Sequence, residues 1–323
     1  MFGMAHNFGI RRVDRCQVNG GVMGANEGLA MPWIRRGRCG EMNASTAPHR
    51  APAKGSFQFV QAVVSPRARG LSVRLNLNPD GRCNLQCAYC EVDRSRLVGQ
   101  PSRPDVVAMM GELATVLEAI EAGRGGWLPG CEGAPAEYLR LGHVALSGNG
   151  EPTLCPVFEE VVEALMHLRA QGRHGFFKVA LITNSTALEE PAVRRGLRLM
   201  TSRDEIWAKL DAGTPEWFRK VNGDGVRFEE VLAAITSAGR RRPLVLQGLF
   251  PRLDGREMPL SEQEAYGARI AELRRDGTRI DGVQVYSATR PSASGRACHA
   301  GLGELSNIAR AVREAGGVAA QVF

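Results

Sequence analysis

From Leu71 to the last residue, short apolar segments alternate with longer segments whose apolar residues recur at helical spacing. Strands alternating with helices of this length build a parallel sheet that is covered by helices. Six or seven such units predict an α/β fold, a partial (β/α)6-like barrel of the TIM type with parallel strands. In such folds the chemistry sits at the carboxyl ends of the strands, so functional motifs are expected just after strands.

The pattern predicts the following elements. A lead-in strand is expected at 57–64, and the repeating strands at 71–76, 141–147, 178–183, 205–210, 244–250, 282–286 and 318–323. Helices are expected at 104–122, 157–170, 192–200, 214–221, 228–239, 261–275 and 305–315. A Gly/Pro-rich insertion at 123–138 separates the first helix from the second repeating strand.

The first 55 residues differ from the rest, because they lack sustained periodicity and are rich in Gly, Asn, Arg and Met. We interpret residues 1–55 as a disordered basic leader and residues 56–323 as the core domain. The net charge is +7, and residues 1–70 alone hold ten basic against three acidic residues. Residues 71–323 are therefore balanced, with 31 basic and 31 acidic residues, so nucleic acid is a possible but not a favoured partner. Without an apolar run of about 18 residues or a signal peptide, a cytoplasmic protein with no membrane span is expected.

Three of the eight cysteines, Cys83, Cys87 and Cys90, fall within eight residues just after the predicted strand 71–76. This clustering indicates a metal site. Three thiolates on one short loop can ligate three irons of a [4Fe-4S] cubane and leave the fourth iron open for a ligand. The alternative is a structural zinc site, which would need a fourth ligand such as His143 or Cys155.

The spacing Cys-x3-Cys-x-aromatic-Cys, with Tyr89 at the aromatic position, resembles the radical S-adenosylmethionine (radical SAM) superfamily. The resemblance implies an Fe-S oxidoreductase that binds SAM at the open iron of its [4Fe-4S] cluster. It also implies reductive cleavage of SAM to a 5′-deoxyadenosyl radical, which abstracts hydrogen from an unknown substrate. An external low-potential electron donor of the flavodoxin or ferredoxin type would be needed.

The segment Ser-Gly-Asn-Gly-Glu-Pro-Thr-Leu at 147–154 resembles the Gly-Gly-Glu-Pro motif that binds the methionine amino group in that superfamily. This implies that Gly148, Asn149, Gly150 and Glu151 bind the cofactor, with Asn149 standing where the first Gly usually lies. Glycine allows close approach of a ligand to the backbone, and a carboxylate can balance an ammonium group.

Polar residues also follow the next strands. Asn184 is expected either to contact the cofactor or to cap a turn, and Ser185 replaces a Gly that is common in the superfamily. Lys209 and Asp211 share one face of their strand and are expected at the barrel mouth. They would contact SAM or form an internal ion pair. Gln247 would bind the cofactor or substrate, or be satisfied by a neighbouring strand.

Tyr286 and Arg290 are candidate substrate contacts at the end of the strand 282–286. Within the superfamily, the strings at 147–154 and 207–213 are similar to the wyosine-type branch, which includes tRNA-modifying members. Modification of a tRNA base is therefore an alternative function, although Cys16 and Cys39 are too isolated to match the upstream cysteine cluster of that branch. An alternative of another class is a non-catalytic iron–sulfur or zinc protein.

Overall fold

The computed structural model describes residues 57–323, which belong to one compact unit. The leader predicted at 1–55 lies outside the described residues. The strands are β1 Val60–Ser65, β2 Gly70–Asn76, β3 Leu141–Ser147, β4 Val179–Thr183, β5 Glu205–Lys209, β6 Leu244–Leu249, β7 Arg252–Leu253, β8 Ile280–Tyr286, β9 Ala297–Cys298 and β10 Ala320–Val322. The helices are α1 Val106–Glu121, α2 Phe158–Ala170, α3 Pro191–Leu199, α4 Pro215–Asn222, α5 Phe228–Arg241, α6 Leu260–Arg275 and α7 Leu302–Glu314.

Eight of the strands form one curled sheet in the order β1-β2-β3-β4-β5-β6-β8-β10. All neighbours from β2 onward are parallel, and only β1 runs antiparallel, to β2. This confirms the predicted α/β fold, an open half-barrel of the TIM type. The direction of β1 was not predicted. The separate antiparallel pair β7–β9 was not predicted either, because two-residue strands carry no periodicity.

The two faces of the sheet differ in character. On β2 the outward side chains Leu71, Val73 and Leu75 are fully buried under the helices. Successive side chains of a strand point to opposite faces, so Ser72 and Arg74 face the interior of the half-barrel. There Ser72 Oγ lies 2.8 Å from His143 Nε2 on β3. The apolar layer therefore stabilises the fold from outside, and the interior is left to polar groups.

Between residues 57 and 323, every helix is either too short or too polar to span a membrane.

Candidate active site

The cysteine loop, residues 77–93, leaves β2 at the carboxyl edge of the sheet. Its first residue continues the sheet, since Leu77 N donates to Ser147 O at 2.9 Å. Cys83, Cys87 and Cys90 on this loop are free thiols, all partly exposed. The loop thus presents its three cysteines where a parallel half-barrel places its chemistry.

The second half of the loop is anchored to the end of α4. Backbone N–H groups of Gln86 and Ala88 donate to Asn222 O and Val221 O at 2.9 and 2.7 Å. The helix begins at the cap Thr214, whose hydroxyl accepts from Trp217 N, and it ends at Gly223, whose φ is +84°. Because a left-handed residue stops the helix there, its last carbonyls are free to receive the loop.

The first half of the loop packs against the turn after β3. Glu151 N donates to Arg82 O at 2.8 Å, and a Cβ on Gly150 would lie 1.9 Å from that same oxygen. Gly150 is therefore required by the backbone of the cysteine loop itself, one residue before Cys83. Asn149 has no positive φ, and its N–H donates to Asn76 Oδ1 at 3.0 Å, so a side chain is accommodated there.

Gly148 is a second close approach in the same turn. A Cβ at this position would lie 2.8 Å from Asn78 Oδ1, and that buried oxygen has no hydrogen-bond partner within the described chain. The backbone of the turn thus packs directly against the side chain of Asn78 at the start of the cysteine loop. Within the described chain, the buried Asn78 Oδ1 beside Gly148 accepts no hydrogen bond.

Glu151 ties the ends of β3 and β4 together. Its buried carboxylate accepts from Thr153 N and Oγ1 at 3.1 and 2.6 Å, from Thr183 Oγ1 at 2.6 Å, and from Asn184 N at 2.6 Å. Burial raises the pKa of Glu151, and these hydrogen bonds oppose that shift. Both carboxylate oxygens already accept hydrogen bonds, so in this arrangement the group positions the two strand ends.

Asn184 caps the turn after β4, one of the two alternatives for this residue, and its side chain also lies beside the cysteine loop. Its Oδ1 accepts from Thr186 N and Oγ1 at 3.0 and 2.7 Å, which caps the turn after β4. Its amide nitrogen donates to Asn84 Oδ1 at 2.9 Å and lies 3.8 Å from Cys83 Sγ. Ser185 has a φ of +72°, a left-handed conformation that costs a non-glycine residue about 1–2 kcal/mol. This backbone explains why glycine suits that position.

Asp211 lies buried at the centre of the other side of the site. Its Oδ2 accepts from Tyr89 Oη and from Asn222 Nδ2, the latter at 2.9 Å. Its Oδ1 accepts from Leu249 N at 2.9 Å and lies 3.3 Å from Lys209 Nζ. The predicted internal ion pair is therefore present, and it also holds the aromatic residue of the cysteine loop.

The charge of Asp211 favours the protonated forms of both Lys209 and Tyr89. Burial alone would lower the pKa of Lys209, but the carboxylate of Asp211 raises it above the ordinary value, so the ammonium form is retained. Burial, and then the charge of Asp211, raises the pKa of Tyr89 well above its usual value. Tyr89 is accordingly a neutral hydrogen-bond donor to a charged acceptor, a strong type of hydrogen bond.

Asn222 is a site residue that sequence reasoning missed. Its Nδ2 lies 3.3 Å from Cys87 Sγ as well as bonding Asp211, and its buried Oδ1 has no partner within residues 57–323. An Asn before a Gly at a helix end is typical of a C-cap, so the sequence carries no signal of this contact.

Gln247 is satisfied by the neighbouring strand. Its Nε2 donates to Gln284 Oε1 at 2.9 Å, and its Oε1 accepts from Tyr286 Oη at 3.2 Å. The Tyr286 hydroxyl in turn accepts from Lys209 Nζ at 3.3 Å. Residues of β5, β6 and β8 are thus linked in one hydrogen-bonded chain across the interior. Arg290 lies at the rim, where it pairs with Glu91 at 2.9 Å.

The two residues proposed as a fourth zinc ligand are both buried in other surroundings. His143 is four residues before the end of β3, about 13 Å from the edge that carries the cysteine loop. Its Nε2 already contacts Ser72, and burial lowers its pKa to about 4. Cys155 is buried in the hydrophobic core, and burial raises the pKa of its thiol to about 11. The structure therefore brings neither of these residues forward as a zinc ligand.

Among the described residues, no three His, Cys, Asp or Glu side chains converge closely enough to hold a single metal ion. A [4Fe-4S] cubane takes one thiolate at each of three irons, so its ligands need not converge on one point. Three partly exposed free thiols on one loop, with amide donors from Asn184 and Asn222 directed at two of them, fit such a cluster.

No protein-family model matches the chain. A curated relative, the UPF0026 protein slr1464 of Synechocystis sp. (strain ATCC 27184 / PCC 6803 / Kazusa), is 32% identical over 166 residues. The match covers 50% of this chain and 52% of that protein, so the chain spans about half the length of the curated relative that it matches.

Among solved structures, a radical SAM methyltransferase from Sphaerobacter thermophilus matches with a TM-score of 0.51 and 15% identity, over 81% of this chain and 68% of that one. This likeness shows that the chain shares the fold of that structure, in agreement with the predicted partial barrel. A structure of TYW1 with a lysine-pyruvate adduct bound matches with a TM-score of 0.46 and 16% identity, over 76% of this chain and 74% of that one.

Proposed function

We propose that this chain is a radical SAM enzyme that holds a [4Fe-4S] cluster on Cys83, Cys87 and Cys90. The observation that carries the proposal is the position of the three free thiols, on the loop that follows the first parallel strand of a radical SAM half-barrel. When bound, the reduced cluster would supply the electron that cleaves SAM to a 5′-deoxyadenosyl radical, which then abstracts hydrogen from a substrate.

The protein's own part is to orient the loop and to surround the cofactor. One wall is the turn Gly148–Glu151 with Asn184, which contacts the loop beside Cys83. The other wall is Asp211 with Lys209, whose Nζ lies 5.0 Å from the centre of the Tyr89 ring. We propose that SAM binds between these walls, and that its charged methionine end interacts with the ionised groups there. An external low-potential donor of the flavodoxin or ferredoxin type would supply the electron.

Anaerobic purification tests the proposal directly. We expect a brown protein with about four irons and four sulfides per chain that forms 5′-deoxyadenosine from SAM after chemical reduction. The matched control is the same sample without reductant, which should form none. A colourless zinc protein, or an iron–sulfur protein that forms no 5′-deoxyadenosine, would show that the proposed function is wrong.

Asn222→Ala is expected to lower the midpoint potential of the cluster by roughly 20–60 mV, because an N–H donor to a ligating sulfur stabilises the more negative, reduced state. The measurement is a redox titration of the reconstituted cluster followed by electron paramagnetic resonance. Asn307→Ala, at an exposed position on α7, is the matched control and should leave the potential unchanged. Equal midpoint potentials for the two variants would show that Asn222 does not influence the cluster.

A further inference from the structure

Within residues 57–323, two arginines enter the interior of the half-barrel without a carboxylate in ion-pair contact. Arg74 lies in the middle of β2 on the inward face, and its Nε donates to Ser147 Oγ at 3.5 Å. Arg67 belongs to the turn between β1 and β2, and its guanidinium carbon lies 3.9 Å above the ring of Tyr286. Its Nη1 is buried and has no hydrogen-bond partner within the described chain.

The other cations around this space are each paired. Lys209 lies 3.3 Å from Asp211, Lys178 lies 2.8 Å from Glu205, and Arg290 lies 2.9 Å from Glu91 at the rim. Within residues 57–323 no carboxylate pairs with Arg74 or Arg67. The interior therefore holds two guanidinium groups that, among the described residues, have no carboxylate in ion-pair contact.

These charges are close enough to act on one another. Burial lowers the pKa of Arg74, and the charges of Arg290 and Arg67 lower it further, while Glu91 opposes the shift. Burying a charge without a partner is costly unless a counter-charge compensates it. A guanidinium presents a planar fork of donors that matches the oxygens of a carboxylate or a phosphate. The arrangement suits an anionic ligand group.

The depth of Arg74 limits what such a ligand can be. Arg74 lies two residues before the end of β2, about 7 Å below the edge from which the cysteine loop departs. A group that reaches it must be the end of a molecule, since an internal phosphate of a polynucleotide carries chain on both sides. The hydroxyl of Tyr286, already hydrogen-bonded to Lys209 and Gln247, lines the same space.

We propose that Arg74 and Arg67 bind a terminal carboxylate or phosphate group of the substrate, which is therefore a small anionic molecule. The proposal rests on the proposed function in one respect: the molecule bound there is taken to be the target of the radical chemistry. The oxyanion is held below the cysteine loop, so the remainder of the substrate extends toward the loop.

The test is thermal unfolding of the cluster-loaded full chain with increasing inorganic phosphate or oxalate, at constant ionic strength set with chloride. We expect at least one of the two anions to raise the unfolding temperature of the wild type. The anion that acts at the lower concentration identifies the bound group as a phosphate or a carboxylate. In Arg74→Gln the half-saturating anion concentration should rise roughly 10- to 100-fold. Without anion this variant should unfold at a higher temperature than the wild type, because a buried charge that lacks an ion-pair contact is gone.

Arg67→Gln, in a turn outside the strands, is a second variant and should likewise raise the half-saturating anion concentration and the unfolding temperature without anion. The control Arg198→Gln, at an exposed position on α3, should change neither the anion concentration nor the unfolding temperature. A wild type that neither anion stabilises beyond chloride overturns the proposal. So does an Arg74→Gln protein that is destabilised and keeps its anion affinity, which would show a structural role.

Titration with SAM separates the cofactor from the substrate. If Arg74→Gln weakens SAM binding and leaves the oxyanion response unchanged, the arginines belong to the cofactor site and the proposal is wrong. A wild type that binds the anion but forms no 5′-deoxyadenosine contradicts only the proposed function. A wild type that forms 5′-deoxyadenosine but binds neither anion contradicts only the anion site.

Discussion

We expect Cys87→Ala to abolish binding of the proposed [4Fe-4S] cluster, whereas Cys131→Ala should retain it. Cys87 is on the loop at the carboxyl edge of the sheet, and its sulfur accepts from Asn222. A cubane that loses one of three thiolates loses the ligand set that leaves a single iron open. We expect iron to fall from about four per chain to less than one, and 5′-deoxyadenosine formation to fall to background.

Cys131 is the matched control, because it is a free thiol of the same chemistry buried in the hydrophobic core. Its Sγ lies 3.7 Å from Ala62 O, so Cys131→Ala should lower stability by about 1 kcal/mol and leave the iron content unchanged. The readouts are iron and sulfide analysis and thermal unfolding. Equal loss of iron in the two variants would show that the ligands are misassigned.

Gly150→Ala should disrupt the site from the neighbouring turn. The added Cβ would lie 1.9, 2.6 and 2.9 Å from backbone atoms of Arg82, and backbone cannot move aside as the tip of a side chain can. The turn or the cysteine loop must shift. We expect a loss of about 2–3 kcal/mol in the free energy of unfolding, together with reduced iron retention, since Cys83 follows Arg82 directly.

Gly111→Ala is the matched control for that substitution. Gly111 lies within α1 at an exposed position, and beyond the neighbouring backbone of its own helix a Cβ there would meet no atom within 4 Å. Alanine should stabilise the helix by about 1 kcal/mol, so the unfolding temperature should rise while iron binding stays the same. The two substitutions add the same methyl group, and opposite signs in thermal unfolding are the expected result. A stable Gly150→Ala protein that retains its iron would show that the cysteine loop does not require glycine at position 150.

Local pattern was sufficient for most of the fold. The strand predicted at 141–147 coincides with β3, and the helix predicted at 157–170 begins one residue before α2. The periods of apolar residues, two residues in a strand and 3.6 in a helix, depend only on neighbouring positions in the chain. They can therefore be recognised without knowing which segments pack together. The cysteine triplet and its place after the first parallel strand were likewise determined by the sequence.

Contacts between distant segments were decided only by the tertiary structure. Asn222 contacts Cys87, which is 135 positions away in the sequence. Arg67 contacts the ring of Tyr286 because the curled sheet brings the β1–β2 turn close to the end of β8. The roles of Glu151 and Gln247 also depended on which strand lies beside which, with Thr183 and Gln284 as their partners. Sheet register and curvature set these distances, and neither is encoded in any local spacing. The sequence therefore determined most of the elements and the three cysteines. The fold decided which polar groups surround the cysteines and that, among the described residues, Arg67 and Arg74 enter the interior without a paired carboxylate.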